Sequence, residues 1–228
     1  MVIKNNLIVV FDLDDTLYKE IDFLKSAYKE IADFLSTKTS KSSQLILSEM
    51  VSYYEGKKNV FKEIIIKNSI KNIDVSNLLK IYRNHIPNII LTNKNKELLD
   101  YFKKKALKVG LITDGRSVQQ RSKIKVLGLL DFFDDVIISE EFGSEKPSIN
   151  NYKFFIDKYG NSYKYIYIGD NTKKDFQTPN KLGWSTICLL DNGKNIHKQS
   201  FNYEKEKLPD FIVNNLTEVK DLLFKTNE

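Results

Sequence analysis

The chain has 228 residues, 41% of them hydrophobic and 29% charged, the balance of an ordinary soluble globular protein. Its net charge of +6 comes from 36 Lys and Arg against 30 Asp and Glu, with the lysines scattered beside acids, so neither a nucleic-acid partner nor a membrane partner is expected. A single cysteine, Cys188, excludes an internal disulfide, and no apolar run reaches the length of a membrane span or a signal-peptide core. A cytoplasmic location is the expectation, and Cys188, inside the apolar run 187–190, reads as a small buried hydrophobe.

The run Leu7 to Phe11 is too short for a helix and rich in Val and Ile, so it reads as a strand buried on both faces. It stops at Asp12-Leu13-Asp14-Asp15-Thr16. Three acids in four positions repel one another, and a fold keeps such a cluster at a strand end when something positive offsets it. Mg²⁺ is the usual candidate, because it takes oxygen ligands from few carboxylates and keeps waters.

The period then becomes helical. Ile21, Leu24, Ala27, Tyr28, Ile31, Phe34 and Leu35 fall on one face. Ser42-Ser43 offers an N-cap to a helix carrying Leu47, Met50, Val51 and Tyr54, which Gly56 breaks. Val60, Phe61, Ile64 and Ile65 predict a third helix, and Val75, Leu78, Leu79 and Tyr82, capped by Asp74, a fourth. Pro87 closes the region, since the residue before proline disfavours helix. Residues 18–87 are therefore read as an all-helical domain inserted into a core made of residues 1–17 and 88–228.

From there helix and short strand alternate, the signature of a parallel sheet wrapped by helices. A helix is predicted from about Asn95 to Lys105, then a strand at Val109 to Ile112 ending at Thr113-Asp114-Gly115. Ser117 is expected to cap the next helix, with Val118, Ile124 and Leu127 as its apolar face. Val136 to Ile138 is a strand followed by a polar loop to Lys146, and Pro147 opens a helix carrying Phe154, Phe155 and Tyr159. Tyr165 to Ile168 is a strand ending at Gly169-Asp170, with Asp175 in the following turn. Thr178 is expected to cap a short helix with Pro179 at its first position, before a strand at Ser185 to Leu190. Residues 191–207 read as an exposed loop that includes His197, Phe211 to Val213 as an edge strand, and Leu216 to Phe224 as a closing helix. His85 reads as structural.

One strand after another ends at a group able to bind oxygen or metal: Asp12, Thr113 and Asp170, with Lys146 after the third. In open parallel sheets, sites form at the carboxyl ends of strands near the topological switch point. The fold class expected is α/β, a Rossmann-like three-layer parallel sheet core with an inserted all-helical cap domain.

In this order and context the motifs Asp12-Leu13-Asp14-Asp15-Thr16, Thr113-Asp114-Gly115, Glu145-Lys146-Pro147 and Gly169-Asp170-Asn171 with Asp175 resemble those of the haloacid dehalogenase superfamily, over nearly the whole chain. The helical insertion is similar to the cap that some members carry after the first motif. The resemblance implies a nucleophile at Asp12 that forms an aspartyl-phosphate. It implies that Asp14 is general acid to the leaving alcohol and then general base to water, with crowding by Asp12 and Asp15 favouring its protonated form. Mg²⁺ would sit on Asp12, the Asp14 backbone carbonyl and Asp170. Thr113 and the Asp114 backbone N–H would hold phosphate oxygens, and Lys146 would neutralise charge developing in transfer. Asp175 would support the metal side, and Thr16 would order the first loop.

Asp14 separates activities within the superfamily, because halide leaves without a proton and dehalogenating members lack a carboxylate there. The expectation is a Mg²⁺-dependent phosphatase acting on a small phosphorylated metabolite, a sugar phosphate or a nucleoside monophosphate. A phosphomutase uses the same motifs and stays open, as does a non-catalytic phosphate-ligand binding protein, which would be expected to lose one of Asp12, Asp14 or Lys146. Specificity is expected from the cap, with Tyr18, Lys19 and the turn from Tyr54 to Lys58 as candidates, in a monomer or weak homodimer.

Overall fold

The structure, a computed structural model, describes residues 5–224; residues 1–4 and 225–228 lie outside the described residues. The chain divides into two compact units, one built from residues up to Glu20 and from Ile90 onward, the other from Ile21–Ile89.

In the first unit β1 (Asn5–Phe11), β2 (Ala106–Thr113), β3 (Asp135–Ile138), β4 (Lys164–Gly169), β5 (Ser185–Leu189) and β6 (Phe211–Val213) form one sheet. Their order is β3-β2-β1-β4-β5-β6, and every pairing is parallel. The chain first runs outward from β1 through β2 to β3, then returns to the other side of β1 as β4. The switch point therefore lies between the carboxyl ends of β1 and β4, where such sheets place their sites. β1 is the central strand, and Ile8, Val9, Val10 and Phe11 are wholly buried, which is why the run is apolar without alternation.

The second unit is helical: α1 (Glu20–Ser36), α2 (Ser43–Glu55), α3 (Val60–Lys67) and α4 (Val75–Asn84). Ser42, Asn59 and Asp74 cap the last three, each side chain accepting from a backbone N–H of the first turn. Tyr28 is the centre of its aromatic packing, with ring centroids 6.4 Å from Tyr54, 6.1 Å from Phe61 and 6.4 Å from Tyr82. His85 is buried there, with Nδ1 2.9 Å from the Tyr82 carbonyl, a packing role.

The sheet is covered by α5 (Asn93–Lys105), α6 (Ser117–Val126), α7 (Ser139–Phe142), α8 (Ile149–Tyr159), α9 (Gln177–Lys181) and α10 (Glu218–Phe224). Tyr152 and Phe155 of α8 pack on Ile8, Val10 and Tyr167. A Cβ on Gly110 would come within 2.3 Å of the Phe155 ring, so this strand position must be glycine for α8 to lie so close.

Several local expectations change. Ser117 makes no cap; its N–H donates to Glu140 at 2.7 Å, so a carboxylate from the neighbouring turn satisfies the helix start. Val118 is 47% exposed, and the buried residues of α6 are Gln120, Lys123 and Ile124. The segment read as a polar loop after β3 begins with the single turn α7, ended by Gly143 at φ 79°. Thr178 lies inside α9, its hydroxyl donating to the Pro147 carbonyl, so Pro179 is the third helical residue, where its missing N–H still leaves nothing unmade. Residues 191–207 are the irregular segment expected, with no buried residue, and Gln199 ties it down by donating to the carbonyls of Asp170 at 2.7 Å and Leu189 at 2.8 Å.

Candidate active site

β1 ends by donating the Asp12 N–H to the Ile168 carbonyl of β4 at 2.8 Å, which seats Asp12 at the switch point. A cavity of about 100 Å³ opens there, lined by Asp12, Asp14, Thr113, Asp114, Lys146 and Asp170. Glu20 and the exposed His197 also face it. A larger cavity, about 760 Å³, lies at the amino ends of the strands around Tyr163, Trp184 and Phe211. It holds no cluster of acids, so the chemistry belongs to the smaller one.

Lys146 is the hub of the buried charge. Its Nζ stands 2.6 Å from Asp12 Oδ1 and 2.8 Å from Asp175 Oδ1, and Tyr167 lies 3.1 Å away. Asp175 is wholly buried and also accepts from Tyr167 at 3.2 Å and from the Asn171 N–H at 2.8 Å. Asp175 therefore holds Lys146 as much as it belongs to any metal side. A Cβ on Gly169 would meet Asp175 Oδ2 at 2.4 Å, so glycine at the end of β4 is what lets this carboxylate in. Burial opposes charge on Lys146, but Asp12 and Asp175 outweigh it and hold its pKa well above the ordinary value. Asp114 anchors the Lys146 loop, accepting the Lys146 N–H at 3.0 Å, and pairs with Lys174 at 2.9 Å.

Asp12 is buried, and its second oxygen accepts from the Thr16 hydroxyl at 3.3 Å. Burial pushes its carboxyl up, Lys146 pulls it down, and the net position is about 7. Asp170 is pushed up to about 9 by burial and by Asp12 and Asp175. Its Oδ2 accepts from the Asn195 side chain at 2.7 Å, a partner from the 191–207 segment that sequence reading missed.

These values describe a surplus of negative charge. Asp12, Asp170 and Asp175 bring carboxylate oxygens within 4.8 Å of one another, and all three are buried. One ammonium does not neutralise three carboxylates. The donors are hard oxygens, and a divalent cation of the Mg²⁺ or Ca²⁺ type fits them. Lys146 pairs with both Asp12 and Asp175, and Asp170, which it does not pair with, completes the oxygen set.

Asp14 departs from the crowding expectation. Burial raises its carboxyl, but Lys123 at 2.7 Å outweighs this, with hydrogen bonds from Lys123, Tyr18 and Gln120 adding to the effect, and Asp14 sits below its ordinary value. Lys123 is buried, lies 3.8 Å from Glu20, and was not among the candidates from sequence. A signal was there. Gln120, Lys123, Ile124 and Leu127 share one helical stripe, and two polar residues on the stripe that faces the core, one turn past Thr113, are out of place unless they bind something. Burial, with Asp14 second, pushes Glu20 up to about 8.

Asp15 takes a left-handed backbone at φ 57°, which Asp tolerates better than most residues. Its carboxylate accepts the Glu20 N–H at 2.9 Å and the Ile196 N–H at 2.8 Å. Lys19 donates to Asn195 at 2.6 Å rather than lying free as a specificity group.

The family model described as haloacid dehalogenase-like hydrolase matches residues 9–189. The chain is 31% identical to the glyceraldehyde 3-phosphate phosphatase of Methanocaldococcus jannaschii, over 94% of this chain and 96% of that protein. It is 26% identical to the enzyme of the same name from Methanothermobacter thermautotrophicus, over 94% and 98%. Among solved structures it is similar to a HAD phosphatase from Thermococcus onnurineus, with a TM-score of 0.60 at 21% identity over 95% and 97% of the two chains, a likeness of fold.

Proposed function

The chain belongs to the haloacid dehalogenase-like hydrolase family, and on that premise we propose that it is a Mg²⁺-dependent phosphatase that hydrolyses a small sugar phosphate through an aspartyl-phosphate. The observation that carries this reading is the convergence of Asp12, Asp14, Thr113, Lys146 and Asp170 on one small cavity. A triose phosphate such as glyceraldehyde 3-phosphate is the first substrate to try, because relatives matching over nearly their whole length carry that name.

Asp12 attacks phosphorus with one carboxylate oxygen, and the bond from phosphorus to the ester oxygen breaks. The departing alkoxide takes a proton from Asp14. Lys123 draws the resting Asp14 carboxyl below its ordinary value against burial, but an arriving phosphate dianion adds negative charge, and Asp14 takes up a proton from solvent before the ester bond breaks. In the second half Asp14, again a carboxylate, takes a proton from water as that water attacks phosphorus, releasing inorganic phosphate and restoring Asp12. Thr113 donates to a phosphate oxygen, as the Asp114 N–H would. Lys146, fixed by Asp175 and Tyr167, spreads positive charge over the oxygens as the bond changes partners. Asp12 and Asp170, with the Asp14 backbone carbonyl, would hold Mg²⁺, which when bound offsets the repulsion between an anionic nucleophile and an anionic ester.

The helical unit, inserted directly after the first motif, is the segment to which we assign the choice of leaving group. We take the chain to act as a monomer or weak homodimer, and sedimentation at assay concentration checks that. Among the described residues no helix is long and apolar enough to cross a membrane.

The test is phosphate release from a panel of phosphomonoesters, with and without Mg²⁺. Metal-dependent turnover that Asp12→Asn lowers on the order of 10⁴-fold or more is expected. A folded protein inert on every ester, yet moving phosphate within a sugar bisphosphate, would replace the phosphatase with a mutase.

A further inference from the structure

Two residues of α6 outside the four motifs reach into the site. Lys123 Nζ lies 2.7 Å from Asp14 Oδ1, and Gln120 Nε2 lies 2.8 Å from Asp14 Oδ2. The same Gln120 nitrogen also meets the Thr113 hydroxyl. Tyr18 donates to Asp14 Oδ1 as well. Both Asp14 oxygens are thus held, two of the three holders come from one turn of α6, and both Gln120 and Lys123 are buried.

The chemistry of the contacts fixes their direction. The NH₂ of the Gln120 side chain faces both Asp14 Oδ2 and the Thr113 hydroxyl, and an NH₂ only donates. Thr113 touches that same NH₂ and must therefore accept from it. The hydrogen of the Thr113 hydroxyl is left to point elsewhere, and the cavity that Thr113 lines is where a phosphate oxygen would lie. Lys123 is a long side chain held on the buried face of its helix at a cost in desolvation, and Asp14 and Glu20 are among its partners there.

We propose that Lys123 and Gln120 are positioning residues of the phosphatase, Lys123 holding the Asp14 carboxylate on the cavity wall where the leaving oxygen departs, and Gln120 turning the Thr113 hydroxyl proton toward the phosphate. The proposal rests on the phosphatase reading above. Misplacing a proton donor by about an ångström costs on the order of 10²-fold, so an anchor of this kind has a measurable effect without touching substrate.

The experiment compares kcat/KM for two esters in the full-length protein with Mg²⁺. One is p-nitrophenyl phosphate, whose leaving group departs with little help from an acid. The other is glycerol 1-phosphate, whose alkoxide needs the proton. Lys123→Met is expected to lower kcat/KM on the alkyl ester at least about tenfold more than on the aryl ester, within the range general acid catalysis supplies. In an Asp14→Asn background the same change should have an effect within about threefold on either ester, because the group it positions is gone. Lys123→Arg should recover part of the loss. If Lys123→Met does not fold, Gln120→Ala is the second variant, expected to raise KM for both esters through Thr113 and to lower kcat/KM more on the alkyl one. A loss equal on both esters, or one that persists in the Asp14→Asn background, overturns the proposal and leaves the phosphatase reading standing. Folded wild-type protein inert on these two esters and on every other ester of the panel overturns the phosphatase reading and the proposal with it.

Discussion

Two buried lysines stand at this site, and each faces two carboxylates. Lys146 lies between Asp12 and Asp175, at 2.6 Å and 2.8 Å. Lys123 lies 2.7 Å from Asp14 and 3.8 Å from Glu20. In both places one positive charge is short of balancing its acids, but the acids are arranged differently. Around Lys146 a further acid, Asp170, joins the cluster, and the hard-oxygen set fits a divalent cation. Around Lys123 no such set forms among the described residues; burial and Asp14 push Glu20 up to about 8, as burial and Asp12 push Asp170 up to about 9 in the other cluster. The difference teaches that a buried acid cluster is not by itself a metal site. What separates the two places is geometry: three buried carboxylates bring oxygens within 4.8 Å of one another around Lys146.

The comparison breaks most visibly at Lys146. Lys146→Met would strand Asp12 and Asp175 in the interior, and losing one partner of a buried pair costs roughly 3–5 kcal/mol. A clear fall in melting temperature is expected together with a loss of turnover on the order of 10²–10³-fold. A variant as stable as the parent would show that Lys146 is not what holds the two acids.

Glu20→Gln sharpens the comparison through pH. Glu20 titrates near 4.3 when unfolded and at about 8 in the fold, so its contribution to stability is fully present below the lower value and is lost as pH rises through the upper one. Asp12, Asp14 and Asp15 push it up, while Lys123 pulls it down. The glutamine cannot ionise and loses nothing. Melting of both proteins at about pH 5 and about pH 9 should show the variant gaining on the parent as pH rises. A constant gap between the curves would mean that Glu20 stays ionised in the fold.

Lys153→Ala is the smallest change and sets the baseline. Lys153 pairs with Asp157 one turn away, with side chains 54% and 58% exposed. Its removal should alter stability by less than about 0.5 kcal/mol in chemical denaturation. A larger effect would mean that exposure is not what separates it from the two buried lysines.

Much of the architecture was legible because its causes are local. The run at β1 has no polar residue because both faces of that strand are covered, and the helical stripes between Ile21 and Tyr82 follow from one-sided burial. The gathering of Asp12, Thr113 and Asp170 followed from strand ends in a parallel sheet. Lys123 was not legible in the same way. Its stripe with Gln120, Ile124 and Leu127 marks it as facing the core, but only the three-dimensional position of Asp14 shows what it binds there. Asn195, Ile196 and Gln199 were missed for a related reason. A segment without periodicity gives no sign of what it will touch, and these three reach Asp170 and Asp15 across the fold. The upward push on Asp14 expected from its acidic neighbours is outweighed by Lys123, a base more than a hundred positions away.

Asp15 joins two parts that would otherwise be separate inheritances. Its carboxylate bridges Glu20, the first residue of α1, and Ile196 in the segment after β5, which lies 181 positions from Asp15. For anyone grafting loops between members of this family, residue 15 and the stretch 191–200 are therefore one module. A transplanted loop brought in beside a glycine at position 15 would arrive without the clasp on Ile196, and Asn195 beside Asp170 would be left to Lys19 and Asp191.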